Sequence, residues 1–150
     1  MTIVAKTRTP VMKSRFRIEI DDIGDFRATT VGALKTTFNM VEVEEGGQDT
    51  TADISVNGYK FDPITIERSL TDDMSLADWV DRIVQGVQDK RNASIYMLDT
   101  EGRDVYRIDL YECITADYEE FAGDAKAKEE TMMEKATLRY RRRSKRIPLQ

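Results

Sequence analysis

Two pairs of adjacent carboxylates are the residues of this sequence that could carry out acid–base chemistry. Asp72-Asp73 and Glu119-Glu120 offer the groups that hydrolases use as general acid and base. Adjacent residues of a strand point to opposite faces, and acidic residues just before a helix stabilise its positive end. We therefore interpret Asp72 and Asp73 as helix-capping residues, and hydrolysis is kept as the alternative.

Histidine and cysteine usage argues further against catalysis. The 150-residue chain has no histidine and one cysteine, Cys113. The Ser–His and Cys–His pairs of nucleophilic catalysis are therefore excluded, as are the common zinc and haem ligand sets. We predict that the protein is not an enzyme and has no catalytic residue, no metal site and no cofactor, and we interpret Cys113 as a buried apolar side chain.

Charge is distributed unevenly along the chain. The last twelve residues carry six basic side chains and no acidic one, whereas the first 138 carry 17 basic and 28 acidic side chains, a net charge of −11. An acidic body with a basic end favours contacts between copies, and a solvated tail is the alternative. A basic run that contains Tyr140 also leaves nucleic-acid binding open, which a salt-dependent shift of DNA mobility would test. The basic residues are Arg139, Arg141, Arg142, Arg143, Lys145 and Arg146.

Length and hydropathy predict one domain. The composition is 40% hydrophobic and 34% charged, and no apolar run approaches the ~20 residues that span a bilayer. Residues 1–12 lack the apolar stretch of a secretory signal. We predict an N-terminal arm at 1–14, a domain at 15–141 and a basic extension at 142–150.

Alternation of apolar and polar residues predicts a fold made mainly of strands. Residues 26–34 and 36–44 are expected to pair as a long hairpin, Asn57-Gly58 predicts a turn, and residues 99–102 predict a short hairpin loop that ends in glycine. The predicted strands are residues 15–21, 26–34, 36–44, 64–69, 93–98, 103–110, 115–121 and 131–141.

One helix is predicted, because apolar residues recur at helical spacing over residues 76–87. Ser75 is the expected N-cap, with Asp78 completing a capping box. Trp79 is interpreted as a core side chain, with an interface anchor as the alternative for it and for Tyr111. The stripe comprises Leu76, Trp79, Val80, Ile83, Val84 and Val87.

These elements predict a mainly β (α+β) fold, an antiparallel β-sandwich or barrel with one flanking α-helix, since a single helix cannot cover a parallel sheet.

Several segments in this order resemble the tail tube protein family of contractile phages and phage-like injection systems. They are Val-Glu-Glu-Gly-Gly at 43–47, Ile-Thr-Ile-Glu-Arg at 64–68, Leu-Thr-Asp-Asp at 70–73, the Trp79 helix, and the strands at 94–99 and 106–110. The resemblance covers roughly residues 14 to 140.

The resemblance implies a structural subunit that forms hexameric rings, which stack into a hollow tube inside a contractile sheath. The implied partners are further copies of the chain, the sheath protein, baseplate or tube-initiator proteins, and DNA or protein cargo in the lumen, with no membrane involved. The implied location is a virion tail or another contractile particle, assembled in the bacterial cytoplasm. A ring that starts or ends the tube is the alternative.

Three groups of residues are candidates for the work of such a subunit. The polar segment 44–49, with its glycine pair, is predicted to stack one ring on the next, and the basic residues after position 140 are predicted to support assembly. The threonine-rich strands are candidates for the lumen wall, because one face of each strand has neither the pattern of a core face nor that of an ordinary surface. The alternative is an ordinary sheet face that is solvated. The ring-stacking candidates are Glu44, Glu45, Gly46, Gly47, Gln48 and Asp49; the lumen candidates are Thr29, Thr30, Thr36, Thr37 and Asn39; the assembly tail is Arg141, Arg142, Arg143, Lys145 and Arg146.

Overall fold

Eleven strands and one helix make up the described part of the chain in a computed structural model, which describes residues 15–43, 53–122 and 132–149. The elements are β1 Phe16–Ile20, β2 Gly24–Ala28, β3 Thr30–Val31, β4 Thr36–Val43, β5 Asp53–Phe61, β6 Ile64–Ser69, α1 Ser75–Val84, β7 Arg91–Leu98, β8 Asp104–Ala122, β9 Met133–Arg139, β10 Arg142–Arg143 and β11 Ile147–Pro148.

Nine strands form one antiparallel sheet whose main path is β2-β1-β7-β8-β9-β6-β3, with β10 and β11 paired to β8. Strand β8 runs through both halves of the sheet, because its first part pairs with β7 and its second part with β9. The predicted mainly antiparallel fold with one helix is confirmed.

A bend at Glu112 allows β8 to serve both halves. Glu112 has a φ of 54° and the register against β7 shifts at this point, which is the geometry of a β-bulge. The Glu112 backbone N–H donates to Oδ1 of Asn92 at 3.2 Å. The prediction of separate strands at 103–110 and 115–121 is therefore wrong, because the bulge changes the direction of a single strand and does not end it.

The predicted hairpin between residues 26–34 and 36–44 is also wrong. Strand β2 pairs with β1, whereas β3 pairs with β6, and the chain turns the corner between them at Thr29, whose N–H donates to the Glu67 carbonyl at 2.8 Å. Strand β4 instead pairs with β5, as a separate two-stranded sheet. Pairing is decided by which strands can cover the core, and local turn residues alone do not show this.

The Asn57-Gly58 pair does not form the predicted turn. Both residues lie within β5, where the register against β4 shifts between Phe38 and Met40. Gly58 has a φ of +99°, which a residue with a Cβ adopts only with strain. The pair therefore forms a bulge, whereas the predicted loop at residues 99–102 does join β7 to β8.

Helix α1 begins where expected, with a different cap. Met74 occupies the N-cap position without a side-chain bond, and Asp73 Oδ1 instead accepts from the Ser75 N–H and hydroxyl, at 3.1 and 2.7 Å. The predicted capping role of Asp73 is confirmed and that of Ser75 is wrong. The apolar stripe is shorter than predicted, because the helix ends at Val84, whose side chain is exposed, as is that of Val87.

The core lies between the two halves of the sheet and under the helix. Fully buried side chains come from β1, β6, β8, β9 and α1, and the Trp79 indole N–H donates to the Asp89 carbonyl at 2.8 Å. Trp79 is therefore a core residue, and Cys113 is buried as predicted. No helix in the described ranges is long and apolar enough to cross a membrane. The core includes Ile18, Ile20, Ile64, Leu110, Cys113, Leu138 and Trp79.

Candidate assembly surfaces

The β4–β5 hairpin presents an apolar face that is exposed to water. Alternation and the bulge at Gly58 place five large apolar side chains on one side of the hairpin, and each of them is more than half exposed. A contiguous apolar surface of this kind is typical of a protein–protein contact. The five residues of this apolar hairpin face are Phe38, Met40, Ile54, Val56 and Tyr59.

The opposite face of the hairpin is largely polar. Thr37 and Lys60 are cross-strand partners, as are Val41 and Ser55, and Asn39 lies on the same side at the bulge. The residues that both strands contribute to this polar hairpin face are exposed to water, except Thr37, which is half-buried near the base. The hairpin is therefore an amphipathic ribbon.

The base of the hairpin is fixed to the body by aromatic packing. The Phe61 ring lies 5.5 Å from that of Tyr140 and 5.2 Å from that of Tyr59. Tyr140 is 7% exposed, and burial raises the pKa of its phenol. The exposed apolar face therefore starts at Tyr59, directly beside the packing of Phe61 on Tyr140.

The lumen candidates do not share one face. Thr29 and Thr30 are exposed at the corner between β2 and β3, on the main sheet. Thr36 is on the apolar side of the hairpin, while Thr37 and Asn39 are on its polar side. The predicted ring-stacking residues 44–49 connect β4 to β5 along the chain and lie outside the described residues.

A second apolar surface lies between β1, β7 and β8 on one side and the segment 29–34 on the other. It is a groove of about 580 Å³, with Ile95 and Ile108 from the core at its floor and the segment 29–34 along one wall. The side chains of Phe16, Val31, Leu34 and Met97 are only partly buried there. Part of this groove therefore remains accessible apolar surface.

The basic tail folds back and pairs with β8 through two short strands, β10 and β11. Arg142 and Arg143 pair with Tyr111 and Leu110, and the later pairing of β11 reaches Tyr106. Two guanidinium groups stack on tyrosines, Arg142 on Tyr111 at 4.6 Å and Arg146 on Tyr106 at 4.9 Å from the ring centroid. Tyr111 is therefore held by the tail of its own chain.

Two basic side chains of the tail, Arg141 and Lys145, are exposed to water. Arg141 pairs with Glu112 at 3.2 Å but keeps 80% of its side chain exposed, and Lys145 is exposed. An exposed pair of this kind contributes little to stability, so these charges remain available to a partner.

A polar cluster that the sequence did not reveal lies inside the fold. Arg68 and Glu134 are cross-strand partners at inward positions of β6 and β9, and they are 5% and 3% exposed. Arg68 Nε donates to Glu134, and the Tyr118 hydroxyl donates to the other oxygen of that carboxylate. Burial and the neighbouring Glu134 carboxylate raise the pKa of Tyr118, so the phenol stays neutral and can donate. In the sequence, this cluster could have been found from Arg68 and Glu134, because each is a charged residue at a position where alternation along its strand predicts an inward side chain.

Asp73 joins this cluster to the start of the helix. One carboxylate oxygen lies 3.3 Å from Arg68 Nη1, and the other accepts from Ser75. Hydrogen bonds from Ser75 lower the pKa of Asp73. Because the folded state favours the ionised form, this contribution to stability is present at neutral pH and is lost as acidification protonates the carboxylate.

The two acidic pairs lie in different elements, one directly before α1 and one in β8. Asp73 accepts from the Ser75 N–H at the start of the helix, and Asp72 is exposed beside it. Glu119 and Glu120 are successive strand residues, and Glu120 Oε2 lies 3.2 Å from the Tyr118 hydroxyl, which donates its proton to Glu134. In the described ranges, no three His, Cys, Asp or Glu side chains converge as metal ligands.

The chain belongs to the T4-like virus tail tube protein gp19 family, whose model matches residues 12–143. The family resemblance predicted from sequence is thereby confirmed. No curated protein sequence matches the chain significantly.

Solved structures of similar fold come from contractile injection systems. A chain of the anti-feeding prophage baseplate superimposes with a TM-score of 0.81 at 17% identity, covering 95% of this chain and 99% of its own. A chain of the anti-feeding prophage tube-terminating cap gives 0.80 at 16% identity over 95% and 94%. A chain of the extended sheath–tube complex of the extracellular injection system PVC gives 0.79 at 16% identity over 93% of each chain. At these identities the likeness establishes the fold.

Proposed function

We propose that this tail tube protein is the repeating subunit of an inner tube, in which six copies form a ring and rings stack around a lumen. The observation that carries the proposal is the apolar hairpin face, since five large apolar side chains exposed to water need a partner. Family membership supports another copy of the chain as this partner. Sheath and baseplate proteins are the proposed outer partners of the tube, and DNA or protein is its proposed cargo. The proposed setting is a contractile particle assembled in the bacterial cytoplasm.

The polar hairpin face, with Thr37 and Asn39, is our proposal for the lumen wall. If the apolar face is covered by a neighbouring copy, the opposite face of the same ribbon is left to water. Residues 44–49, which connect the two strands of this hairpin, are proposed to contact the next ring.

Electron microscopy of the purified protein tests the assembly. We expect six-fold rings or tubes at high concentration, and light scattering near six times the monomer mass or above. A Ser55→Cys variant adds a test of the lumen, because Cys113 is buried and burial raises its pKa to about 12, leaving it unreactive. In tubes, the thiol introduced at position 55 should react with a small maleimide and be protected from a polymer-linked maleimide.

Gln85→Cys, at an exposed position directly after α1, is the matched control, and its thiol should react with both reagents. A protein that stays monomeric at all concentrations would contradict the tube proposal. Equal access of the polymer reagent to both positions in assembled tubes would contradict only the lumen assignment.

A ring at the end of the tube is the second candidate, favoured by the equal fold similarity to the tube-terminating cap. The same images separate the two candidates. Long tubes formed by the pure protein support the repeating subunit, whereas single rings that never stack support a terminal ring.

The exposed charges of the assembly tail are proposed to contact an acidic surface of a neighbouring ring or of the sheath. Truncation is a poor test, because β10 and β11 pair with β8. We expect Arg141→Gln with Lys145→Gln to weaken assembly several-fold at low salt and to make it less sensitive to salt, as measured by sedimentation across a salt series.

The matched control for the tail is Lys90→Gln, which removes an exposed charge elsewhere on the body. It should leave the salt dependence unchanged. Identical salt curves for the tail variant and the unaltered protein would show that the tail is only a solvated surface.

A further inference from the structure

We infer that the C-terminal strap, residues 141–149, is exchanged between copies, so that the β8 edge that it covers accepts the strap of a second copy of the chain. The inference rests on the proposed tube function, which brings copies close together. In the structure the strap lies on β8 of its own chain, paired through β10 and β11. After exchange, each copy gives its strap to one neighbour and receives the strap of another.

Backbone hydrogen bonds hold the strap to this edge of β8. The N–H groups of Arg141, Ser144 and Leu149 donate to three β8 carbonyl groups, at 3.0, 2.8 and 2.9 Å. The opposite edge of the same part of β8 pairs with β7. An edge strand without a partner presents a row of unpaired N–H and C=O groups, which readily pair with another chain. The strap therefore covers a backbone edge that is able to accept any suitable extended segment.

The strap is attached without a fully buried side chain. Each of its residues is exposed or half-buried, and its two paired segments have two residues each. Two of its arginines, Arg142 and Arg146, stack on tyrosines of β8 at half-open positions of the surface. Segments with few buried apolar contacts open more readily than the core does. The strap can therefore leave β8 while the rest of the fold stays intact.

The boundary between the core and the strap is sharp. Tyr140 is 7% exposed and its ring stacks on that of Phe61, whereas the side chain of Arg141 is 80% exposed. Detachment that starts at Arg141 therefore removes no core side chain. A free strap of nine residues reaches about 30 Å, which is about the diameter of a small domain.

The chemistry of the edge selects a basic extended segment. Tyr106 and Tyr111 offer ring faces to guanidinium groups, and the Glu112 carboxylate pairs with a third arginine of the strap. The Asp109 N–H donates to the Ser144 hydroxyl at 2.9 Å. The strap of a second copy supplies the same groups at the same spacing. Its success against the chain's own strap is set by effective concentration, which rises when copies are held side by side in a ring.

Cross-linking between single-cysteine variants of the full chain tests the exchange. Positions 107 and 147 are strand partners across the β8 edge, so Arg107→Cys and Ile147→Cys leave both arginine–tyrosine stacks in place. The native Cys113 is fully buried. The two variants are mixed while dilute and concentrated until particles form. A short bis-maleimide should then join them into dimers with one copy of each. A chain with both substitutions should be linked within itself when dilute and give a ladder up to six copies when concentrated.

A position away from the edge supplies the matched control. Gln85→Cys is exposed directly after α1, and its mixture with Ile147→Cys should remain unlinked. Equal linking of this control mixture would overturn the exchange in favour of unspecific collisions.

Amide hydrogen exchange of the dilute protein measures the opening that the exchange of straps requires. We expect the Ser144 and Leu149 amides to exchange at least about tenfold faster than the amides between β7 and β8. Equal protection of the two sets would show that the strap opens only with the core, and would overturn the inference.

Microscopy of the same samples tests the tube proposal separately. Rings or tubes in which positions 107 and 147 are linked only within one chain would overturn the exchange and leave the tube proposal standing. Links between copies without rings or tubes would support the exchange and contradict the tube proposal. An absence of both particles and links between copies at high concentration would overturn the two together.

Discussion

Replacing Met40 and Val56 by aspartate is expected to abolish assembly while the subunit stays folded. The two residues are cross-strand partners on the apolar hairpin face and are 61% and 55% exposed. In a contact that excludes water, each added carboxylate would be buried without a partner, at a cost of about 3–5 kcal/mol. We expect dissociation constants to rise by at least about a thousandfold, since each 1.4 kcal/mol is about tenfold. Sedimentation and electron microscopy measure the loss.

The opposite side of the same ribbon provides a matched control. Val41→Asp with Ser55→Asp also places two like charges on cross-strand partners, but on the polar hairpin face. This variant should suffer the same repulsion within the hairpin and still assemble. Rings that form equally well from both double variants would rule out the apolar hairpin face as a contact, and a large fall in melting temperature of either would indicate damage to the fold instead.

The largest effect on stability is expected from Glu134→Ala. Glu134 and Arg68 are almost completely buried as a pair, so removal of the carboxylate leaves the guanidinium without its main partner and the Tyr118 hydroxyl without its buried acceptor. Breaking a buried pair in this way costs about 3–5 kcal/mol, a large fraction of the ~5–15 kcal/mol that stabilises a typical domain. We expect a fall in melting temperature of about 10 °C or more, measured by circular dichroism.

Two further variants show whether the effect belongs to the buried charge. Lys135→Ala breaks the adjacent, partly exposed pair with Glu67, which is 3.7 Å apart, and should change stability by less than about 0.5 kcal/mol. Arg68→Met with Glu134→Leu removes both charges and should recover much of the loss, because neither charge is then left buried without a partner. A change below about 1 kcal/mol in Glu134→Ala would contradict the importance of the pair.

Sequence by itself determined the class of the fold and several of its elements. Alternation in residues 15–21 and 64–69, and the helical spacing around Trp79, are local properties of the chain, so β1, β6 and α1 could be predicted. The burial of Cys113 followed from its chemistry, and the family resemblance followed from the order of several short segments.

Tertiary structure decided which strands pair and therefore where the candidate surfaces lie. The alternation of β4 was visible, but the partner that gives it an apolar face, β5, was obscured by Asn57-Gly58, which favours a turn in isolation and forms a bulge here. The bend at Glu112 depends on β7 and β9 being present to pair with the two halves of β8. The Arg68–Glu134 pair likewise exists because β6 and β9 meet in one register, which brings together two residues 66 positions apart in the sequence. Long-range pairing is fixed by burial of a shared core. A local sequence pattern therefore does not show which distant strand will pair with a given strand.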